Sequence, residues 1–147
     1  MAAEEQVASP VEDRTYAEPP STRVTGPVLA AISNEMVRVY KEQFGRGPTK
    51  VRTNFSGPDV IVCILEETFT PAERNLLAMG EGGRLRDTRL FFQHATETEF
   101  KRIVQDATGR QVLSFIGGID VEHDVAAELF TLEPLASAGA DALPSAR

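Results

Sequence analysis

Two short glycine-rich segments accompanied by basic residues are the part of this sequence best suited to bind a charged partner. They are Gly45-Arg46-Gly47-Pro48 and Gly80-Glu81-Gly82-Gly83, the first and second glycine corners. Glycine lets backbone N–H groups approach an anion, a helix N-terminus favours negative charge, and arginine offers forked donors to phosphate or carboxylate. We therefore predict an anion-binding or partner-docking surface that comprises Arg46, Lys50, Arg52, Gly82, Gly83, Arg84, Arg86 and Arg89.

A plainer interpretation of these arginines stays open. Acidic residues occur beside several of them, notably Glu73, Glu81 and Asp87. Arginines that pair with such neighbours, or that only face water, would solubilise the protein without binding anything.

The second glycine corner also allows a nucleic-acid interpretation. The order helix–strand–strand–helix–GxxG–helix–strand resembles that of type II KH domains, whose GxxG loop clamps a nucleic-acid backbone. Glu81 stands in the middle of the corner, where it would repel phosphate, and the net charge of the chain is −7. A KH-like module that uses residues 80–83 is therefore the alternative function, and nucleic acid is an unlikely partner.

No residue pattern points to catalysis, to a metal or to a cofactor. The acidic segment with Asp120, Glu122, His123 and Asp124 lacks the spacing and glycine of a calcium loop, and His94 has no histidine partner at helical spacing. A GxSxG elbow, a Walker A segment and a dinucleotide fingerprint are absent from the sequence. We expect no catalytic residues, no metal site, no cofactor and no enzymatic activity.

Composition favours one domain in the cytoplasm. The chain has 147 residues and a single cysteine, Cys63, which lies in an apolar run and is expected to be buried. The N-terminus has no basic and apolar segments of a secretory signal, and no apolar run approaches the roughly 20 residues that span a bilayer. We expect a cytoplasmic protein that does not insert into a membrane.

The elements that must position the glycine corners are predicted from periodicity and turn signals. Pro27 suits the first position of an amphipathic helix that ends near Phe44. Residues 50–55 and 60–65 are predicted to be the two strands of a hairpin. Thr70-Pro71-Ala72-Glu73 combines an N-cap, an N1 proline and a capping box. A longer helical stretch covers residues 84–108, with a possible kink between 94 and 98. Strands follow at 111–116 and 125–132, separated by an acidic loop over 117–124.

The chain ends differ from this middle part. Residues 1–24 and 134–147 are rich in small and polar residues and in proline, with few large apolar side chains. Such segments bury too little surface to offset the entropy of ordering them, so we predict two disordered tails around a single domain at 25–133.

The predicted strands also bear on assembly. The elements give an α+β fold, a two-layer, mostly antiparallel four-stranded sheet with helices on one face, in the order α-β-β-α-α-β-β. Three of the four strands carry apolar residues on both faces, yet the helices of so short a chain cover only one face. A second copy is the simplest cover for the other face, so we predict a homodimer.

Several segments together resemble the MpsC family of small bacterial proteins. They run from Ile32-Ser33-Asn34-Glu35-Met36 to the first glycine corner, through Asp59-Val60-Ile61-Val62, and along Leu65-Glu66-Glu67-Thr68-Phe69-Thr70-Pro71-Ala72-Glu73. Residues 103–109, Val112, Phe115 and Phe130-Thr131-Leu132 also fit, so the resemblance covers about residues 27–133.

The resemblance implies an accessory role in a sodium- or membrane-potential-linked system. Partners in that system resemble membrane uptake machinery for inorganic carbon, such as bicarbonate. The resemblance transfers no catalytic or ligand residue to this chain. It implies a regulatory interaction module that docks to a membrane transporter. We expect the arginine groups described above to form the surface that docks or senses a small anion.

Overall fold

Residues 22–135 are described by the computed structural model, and they form eight helices and strands. In chain order these are α1 (Thr22–Phe44), β1 (Lys50–Phe55), β2 (Val60–Glu66), α2 (Pro71–Ala78), α3 (Gly82–Ala95), α4 (Glu97–Thr108), β3 (Val112–Asp120) and β4 (Val125–Leu132). The α+β class is confirmed. The order differs from the prediction in that the long helical stretch is divided at Thr96 into α3 and α4.

The four strands form one antiparallel sheet in the order β1-β2-β4-β3. Two hairpins, β1–β2 and β3–β4, are joined where β2 pairs with β4. The predicted four-stranded antiparallel sheet is therefore confirmed.

Burial alternates along the two central strands and shows which face the helices cover. In β2 and β4 every second residue is buried and the residues between are partly exposed. The buried set packs with α1 and α4 in one core that includes Ile32, Met36, Tyr40, Ile61, Cys63, Leu65, Phe100, Ile103, Val104, Ala126, Phe130 and Leu132. The helices thus lie on one face of the sheet, as predicted. Cys63 is fully buried in this core, and burial raises the pKa of its thiol to about 12.

Local capping signals are confirmed where the sequence is most explicit. The Thr70 side chain accepts a hydrogen bond from the Glu73 backbone N–H, and the Glu73 carboxylate accepts one from the Thr70 N–H. Pro71 begins α2, and Gly109 ends α4 in the left-handed conformation with φ of 68°. These two caps fix the start of α2 and the end of α4.

Helix α1 begins earlier than predicted. It starts at Thr22, so Pro27 lies inside the helix and not at its first position. The φ of a proline fits a helix, but its nitrogen has no hydrogen to donate. Pro27 therefore leaves α1 one hydrogen bond short in its N-terminal part. The helix also takes in residues 22–24 of the predicted N-terminal tail. The rest of that tail, and the predicted C-terminal tail beyond residue 135, lie outside the described residues.

Strand β3 extends through the segment predicted as an acidic loop. It continues to Asp120 with Gly117 paired to Glu128 and Gly118 to Ala127, so the turn comprises only residues 121–124. A Cβ atom at Gly117 would lie 2.8 Å from Oε1 of Gln93 on α3. The glycine therefore marks the close approach of a helix side chain to a strand and does not mark a loop.

Candidate functional site

The two glycine corners lie at the same end of the sheet, which we call the corner end. The corner end is where β1 and β4 begin and β2 and β3 end, at the register positions Lys50, Glu66, Val125 and Asp120. Nη1 of Arg46 donates to the Phe69 carbonyl at 3.2 Å, which ties the first corner to the β2–α2 connection. A Cβ atom at Gly82 would lie 3.7 Å from Cγ2 of Val121, which places the second corner beside the β3–β4 turn.

The predicted binding residues divide into three groups in the structure. Arg46, half-buried, and Gly82, Gly83, Arg84 and Arg86, at the start of α3, lie around the corner end. Lys50 and Arg52 are exposed on β1, on the sheet face away from the helices. Arg89 is 2% exposed and belongs to neither surface. The eight predicted residues therefore do not all lie on one surface, because Arg89 is buried.

Glu67 is the acidic residue around which basic side chains of the corner end gather. Its carboxylate accepts a hydrogen bond from the Thr49 hydroxyl, and the positive charges of Lys50, Arg46 and Arg74 add to that bond. Together they lower the pKa of the Glu67 carboxyl. Glu67 is exposed, so water screens these attractions.

Asp124 holds the β2–α2 connection to the β3–β4 turn. Its carboxylate accepts hydrogen bonds from the Thr68 N–H, the Thr68 hydroxyl and the Phe69 N–H at 2.9 to 3.0 Å. Its backbone carbonyl accepts a further bond from the Glu67 N–H. Asp124 thereby has a structural role at the corner end.

The remaining acidic residues of this turn do not assemble a metal site. Oδ2 of Asp120 lies 2.9 Å from Nδ1 of the exposed His123, and the bond to Asp120 raises the pKa of that imidazole. Within residues 22–135 there is no group of three or more His, Cys, Asp or Glu residues that could hold a metal ion.

Two of the arginines pair with acidic neighbours, as the plainer interpretation predicted. Nε of Arg84 lies 3.1 Å from Glu81 in an exposed pair, whereas Arg89 donates from Nε and Nη2 to both oxygens of Glu73 at 2.6 and 2.5 Å. Nη2 of Arg89 also bonds the Thr68 carbonyl, and the Phe44 ring lies 3.6 Å from the guanidinium carbon. Arg89 therefore ties α3 to α1 and to the capped start of α2.

A second buried polar group lies next to this ion pair, at the centre of the sheet. Glu128 is fully buried on β4, and the Tyr40 hydroxyl of α1 donates to its Oε1 at 2.5 Å. Burial raises the pKa of this carboxyl to about 7, although the bond from Tyr40 opposes the shift. The burial also raises the pKa of the Tyr40 hydroxyl, and the Glu128 charge adds to that effect.

A small cavity adjoins these buried groups. It measures about 10 Å³ and is lined by Tyr40, Gln43, Phe44, Arg89, Phe92, Gln93, Phe100, Ile119 and Ala126. Nη1 of Arg89, Oε1 of Gln93 and Oε2 of Glu128 have no hydrogen-bond partner within the described residues. The space matches a single water molecule and is too small for a metabolite.

The burial of Glu128 and Gln93 was not predicted from the sequence. The position of Glu128 in β4 indicates its burial, because its side chain points to the same face as those of Ala126, Phe130 and Leu132, which are buried. A charged residue in the apolar phase of a strand indicates a buried polar group. Gln93 gave no comparable signal, because its burial depends on the two glycines of β3.

His94 is exposed on α3, His123 pairs with Asp120 at the corner end, and neither lines the cavity. None of the helices in the described part of the chain is both long and apolar enough to cross a membrane.

Comparison with known proteins identified one family. The sequence model described as "Na+-translocating membrane potential-generating system (MpsC)" matches residues 25–134. No curated protein and no solved structure matches the chain.

Proposed function

The chain belongs to the MpsC family, and we propose that it is an accessory, regulatory interaction subunit of a Na+-translocating membrane potential-generating system. In this role it works on the cytoplasmic side and docks through the corner end to a membrane component of that system. The family description supports the kind of system, and the chemistry of the corner end supports docking.

The observation that carries the proposal is a set of basic side chains that have no carboxylate of residues 22–135 within the 4 Å of an ion pair. Arg46, Lys50, Arg74 and Arg86 make no ion pair with any acidic residue in the described part of the chain. By contrast, Arg38, Arg102 and Arg110 each pair with acidic neighbours. In a chain with net charge −7, cations left unpaired at one end favour an acidic partner surface.

Local ion pairs at the corner end can exchange for intermolecular ones at little cost. Arg84 is paired with Glu81, but its side chain is 80% exposed. Exposed pairs contribute roughly 0 to 1 kcal/mol, so an acidic partner group can replace Glu81 with a small penalty. The same exchange makes the interaction sensitive to ionic strength.

The experiment that tests docking reverses two of the unpaired charges. The full chain is coexpressed with the membrane components of the system, purified through a tag on the chain, and assayed for the membrane components. The variant Arg46→Glu with Arg86→Glu should lose most of the copurified component. Cells that carry this variant in place of the wild type should lose the chain's contribution to Na+-dependent membrane potential, measured with a potential-sensitive dye.

A matched control separates docking from net charge. Lys101→Glu with Arg102→Glu makes the same change in charge on α4, away from the glycine corners. This control should copurify as the wild type does. Equal recovery of the membrane component by all three proteins would contradict the docking role of the corner end.

A small anion, bicarbonate in particular, is the ligand that this proposal adds at the corner end. Arg46, Lys50 and Arg74 all act on Glu67, so three positive charges face one carboxylate. Calorimetric titration with sodium bicarbonate, with sodium chloride as the control, should detect binding that Arg46→Glu removes. Identical heats for the two salts would remove bicarbonate from the proposal.

The KH-like nucleic-acid function has less support from the second glycine corner. The Glu81 carboxylate lies in that corner and pairs with Arg84, so negative charge is held where a phosphate would approach. Filter binding of single-stranded RNA that weakens steeply with salt and requires Gly82 and Gly83 would favour this alternative over docking to a membrane component.

A further inference from the structure

The sheet face away from the helices carries an apolar surface, which we call the open face. Residues that alternate with the buried ones along a strand point to the opposite side of the sheet. On this side β2 contributes Val60, Val62 and Ile64, β4 contributes Val125, Ala127 and Leu129, and β3 contributes Ile116. Ile116 is 62% exposed, and Leu113 at the nearby strand irregularity is 59% exposed.

The strand register arranges the open face in rows that cross the sheet. Residues directly opposite in antiparallel strands share a face, so the pairings define each row. From β1 to β3 the central row is Asn54, Val62, Leu129 and Ile116, the next is Arg52, Ile64, Ala127 and Gly118, and the last is Lys50, Glu66, Val125 and Asp120. The centre of the face is therefore apolar, the β1 edge is polar, and the β3 edge carries Asp120 at the corner end.

The two edges carry opposite charges. The β1 edge presents Lys50 and Arg52, and the β3 edge presents Asp120. All three side chains are exposed, and neither Lys50 nor Arg52 has an ion-pair partner in the described part of the chain. A surface that is apolar in the middle, basic at one edge and acidic at the other is self-complementary under one kind of two-fold rotation.

We infer that a second copy of this chain covers the open face, with the two-fold axis parallel to the strands and between β2 and β4. This rotation places β1 of one protomer over β3 of the other, and each row faces the same row of the partner. Lys50 then lies opposite the partner's Asp120, Arg52 lies one row away from it, and Leu129 lies over β2 of the second copy. Because sheets that pack face to face keep their strands within about 30° of each other, the arrangement matches aligned sheet packing.

The charges favour this rotation over the other face-to-face one. A two-fold axis across the strands would place each β1 over the other β1 and reverse the order of the rows, so neither Lys50 nor Arg52 could face the partner's Asp120. Opposite charges meet only when the axis is parallel to the strands, so the edge charges favour that axis.

The size of the face fits a modest interface. Four strands about 4.8 Å apart and six residues at about 3.3 Å each give a surface of roughly 400 Å² in projection. This area is within the roughly 300 to 600 Å² of the largest patch on a typical monomer, and such a patch is often functional. A dimer that forms at micromolar concentration is the expected result. The inference does not depend on the proposed function, and Lys50 is the one basic residue that both use.

The test is the mass of the full chain across a micromolar concentration series, measured by sedimentation or by light scattering after gel filtration. The wild type should rise from the 16.0 kDa monomer toward twice that mass. Leu129→Glu places a charge at the centre of the open face and should leave a monomer. Phe91→Glu, on an exposed residue of α3, is the control and should dimerise as the wild type does.

A charge exchange tests the axis with variants that keep the apolar centre intact. Asp120→Lys should weaken the dimer at least several-fold, and combining it with Lys50→Asp and Arg52→Asp in the same chain should restore it. His123→Ala controls for the lost contact between Asp120 and His123, and it should dimerise normally. A wild type that stays monomeric, a dimer that tolerates Leu129→Glu, or an exchange that does not restore the dimer would overturn the inference.

Discussion

The Tyr40 hydroxyl donates a 2.5 Å hydrogen bond to Oε1 of Glu128, and this bond joins α1 to the centre of the sheet. Glu128 lies between Cys63 of β2 and Gly117 of β3 in the strand register, and all its side-chain surface is buried. Nearby charge comes from Arg89, which acts on Tyr40 but is itself paired with Glu73. Because this nearby cation is already paired, burial favours the protonated form of the Glu128 carboxyl over the charged form.

The first prediction is that Glu128 lowers stability at neutral and alkaline pH. Its pKa is about 7 in the folded protein and 4.5 for an ordinary glutamate, so between these pH values the folded protein holds a proton that the unfolded chain has lost. The free energy of unfolding should then fall as pH rises from about 4.5 to 7, by roughly 3 kcal/mol at most, and level off above 7. Glu128→Gln keeps the shape without the charge, so it should be more stable than the wild type at pH 8 and similar at pH 4.

Urea denaturation at several pH values measures this effect. Glu122→Gln on the exposed β3–β4 turn is the matched control, and it should keep the wild-type slope. Asp120 raises the pKa of His123, so His123 also adds stability that is lost as pH rises. The difference between the wild type and Glu128→Gln cancels that part, and parallel pH profiles for these two proteins would refute the prediction.

The second prediction concerns the ion pair between Arg89 and Glu73. Burial disfavours the charged form of Glu73, but the bond and charge of Arg89 and the bonds from Thr70 together outweigh it and hold the pKa of the carboxyl below its usual value. Arg89→Met removes the cation and leaves Glu73 partly buried without its partner, so unfolding free energy should fall by about 3 kcal/mol. Adding Glu73→Gln should recover part of that loss, because no buried charge then remains unpaired.

Chemical denaturation of the single and double variants gives the coupling energy of the pair. Arg86→Met is the control on the same helix, and it should change stability by no more than about 0.5 kcal/mol because its side chain is exposed. A loss as small for Arg89→Met as for Arg86→Met would show that the pair contributes nothing.

The strands and caps were predictable because local signals determine them. Strands β1 and β4 were predicted with the bounds that the structure has, since turn residues flank each alternating run. The Thr70 cap was equally explicit, because the capping box needs only residues three apart. These features depend on neighbours in the chain.

The errors and omissions arise from contacts between distant residues. Gly117 and Gly118 signal a loop by their type, yet Gln93 of α3 occupies the space above Gly117 and donates to the Gly118 carbonyl. Arg89 has the same sequence signal as Arg86, three positions earlier, and only the fold separates a buried ion pair from an exposed side chain. The meeting of both glycine corners at one end of the sheet likewise depends on the pairing of β2 with β4.

The third prediction compares two glycines that differ in backbone conformation. Gly109 caps α4 with φ of 68°, whereas Gly83 lies in the first turn of α3 without a positive φ, and a Cβ atom at either position would meet nothing within 4 Å. Gly109→Ala should therefore destabilise the protein by about 1 kcal/mol through backbone strain alone. Gly83→Ala should stabilise it by roughly 0.5 to 1 kcal/mol, because alanine lowers the entropy of the unfolded chain. Thermal denaturation of the two variants should give shifts of opposite sign. A shift of the same sign in both would mean that neither position is governed by its φ angle.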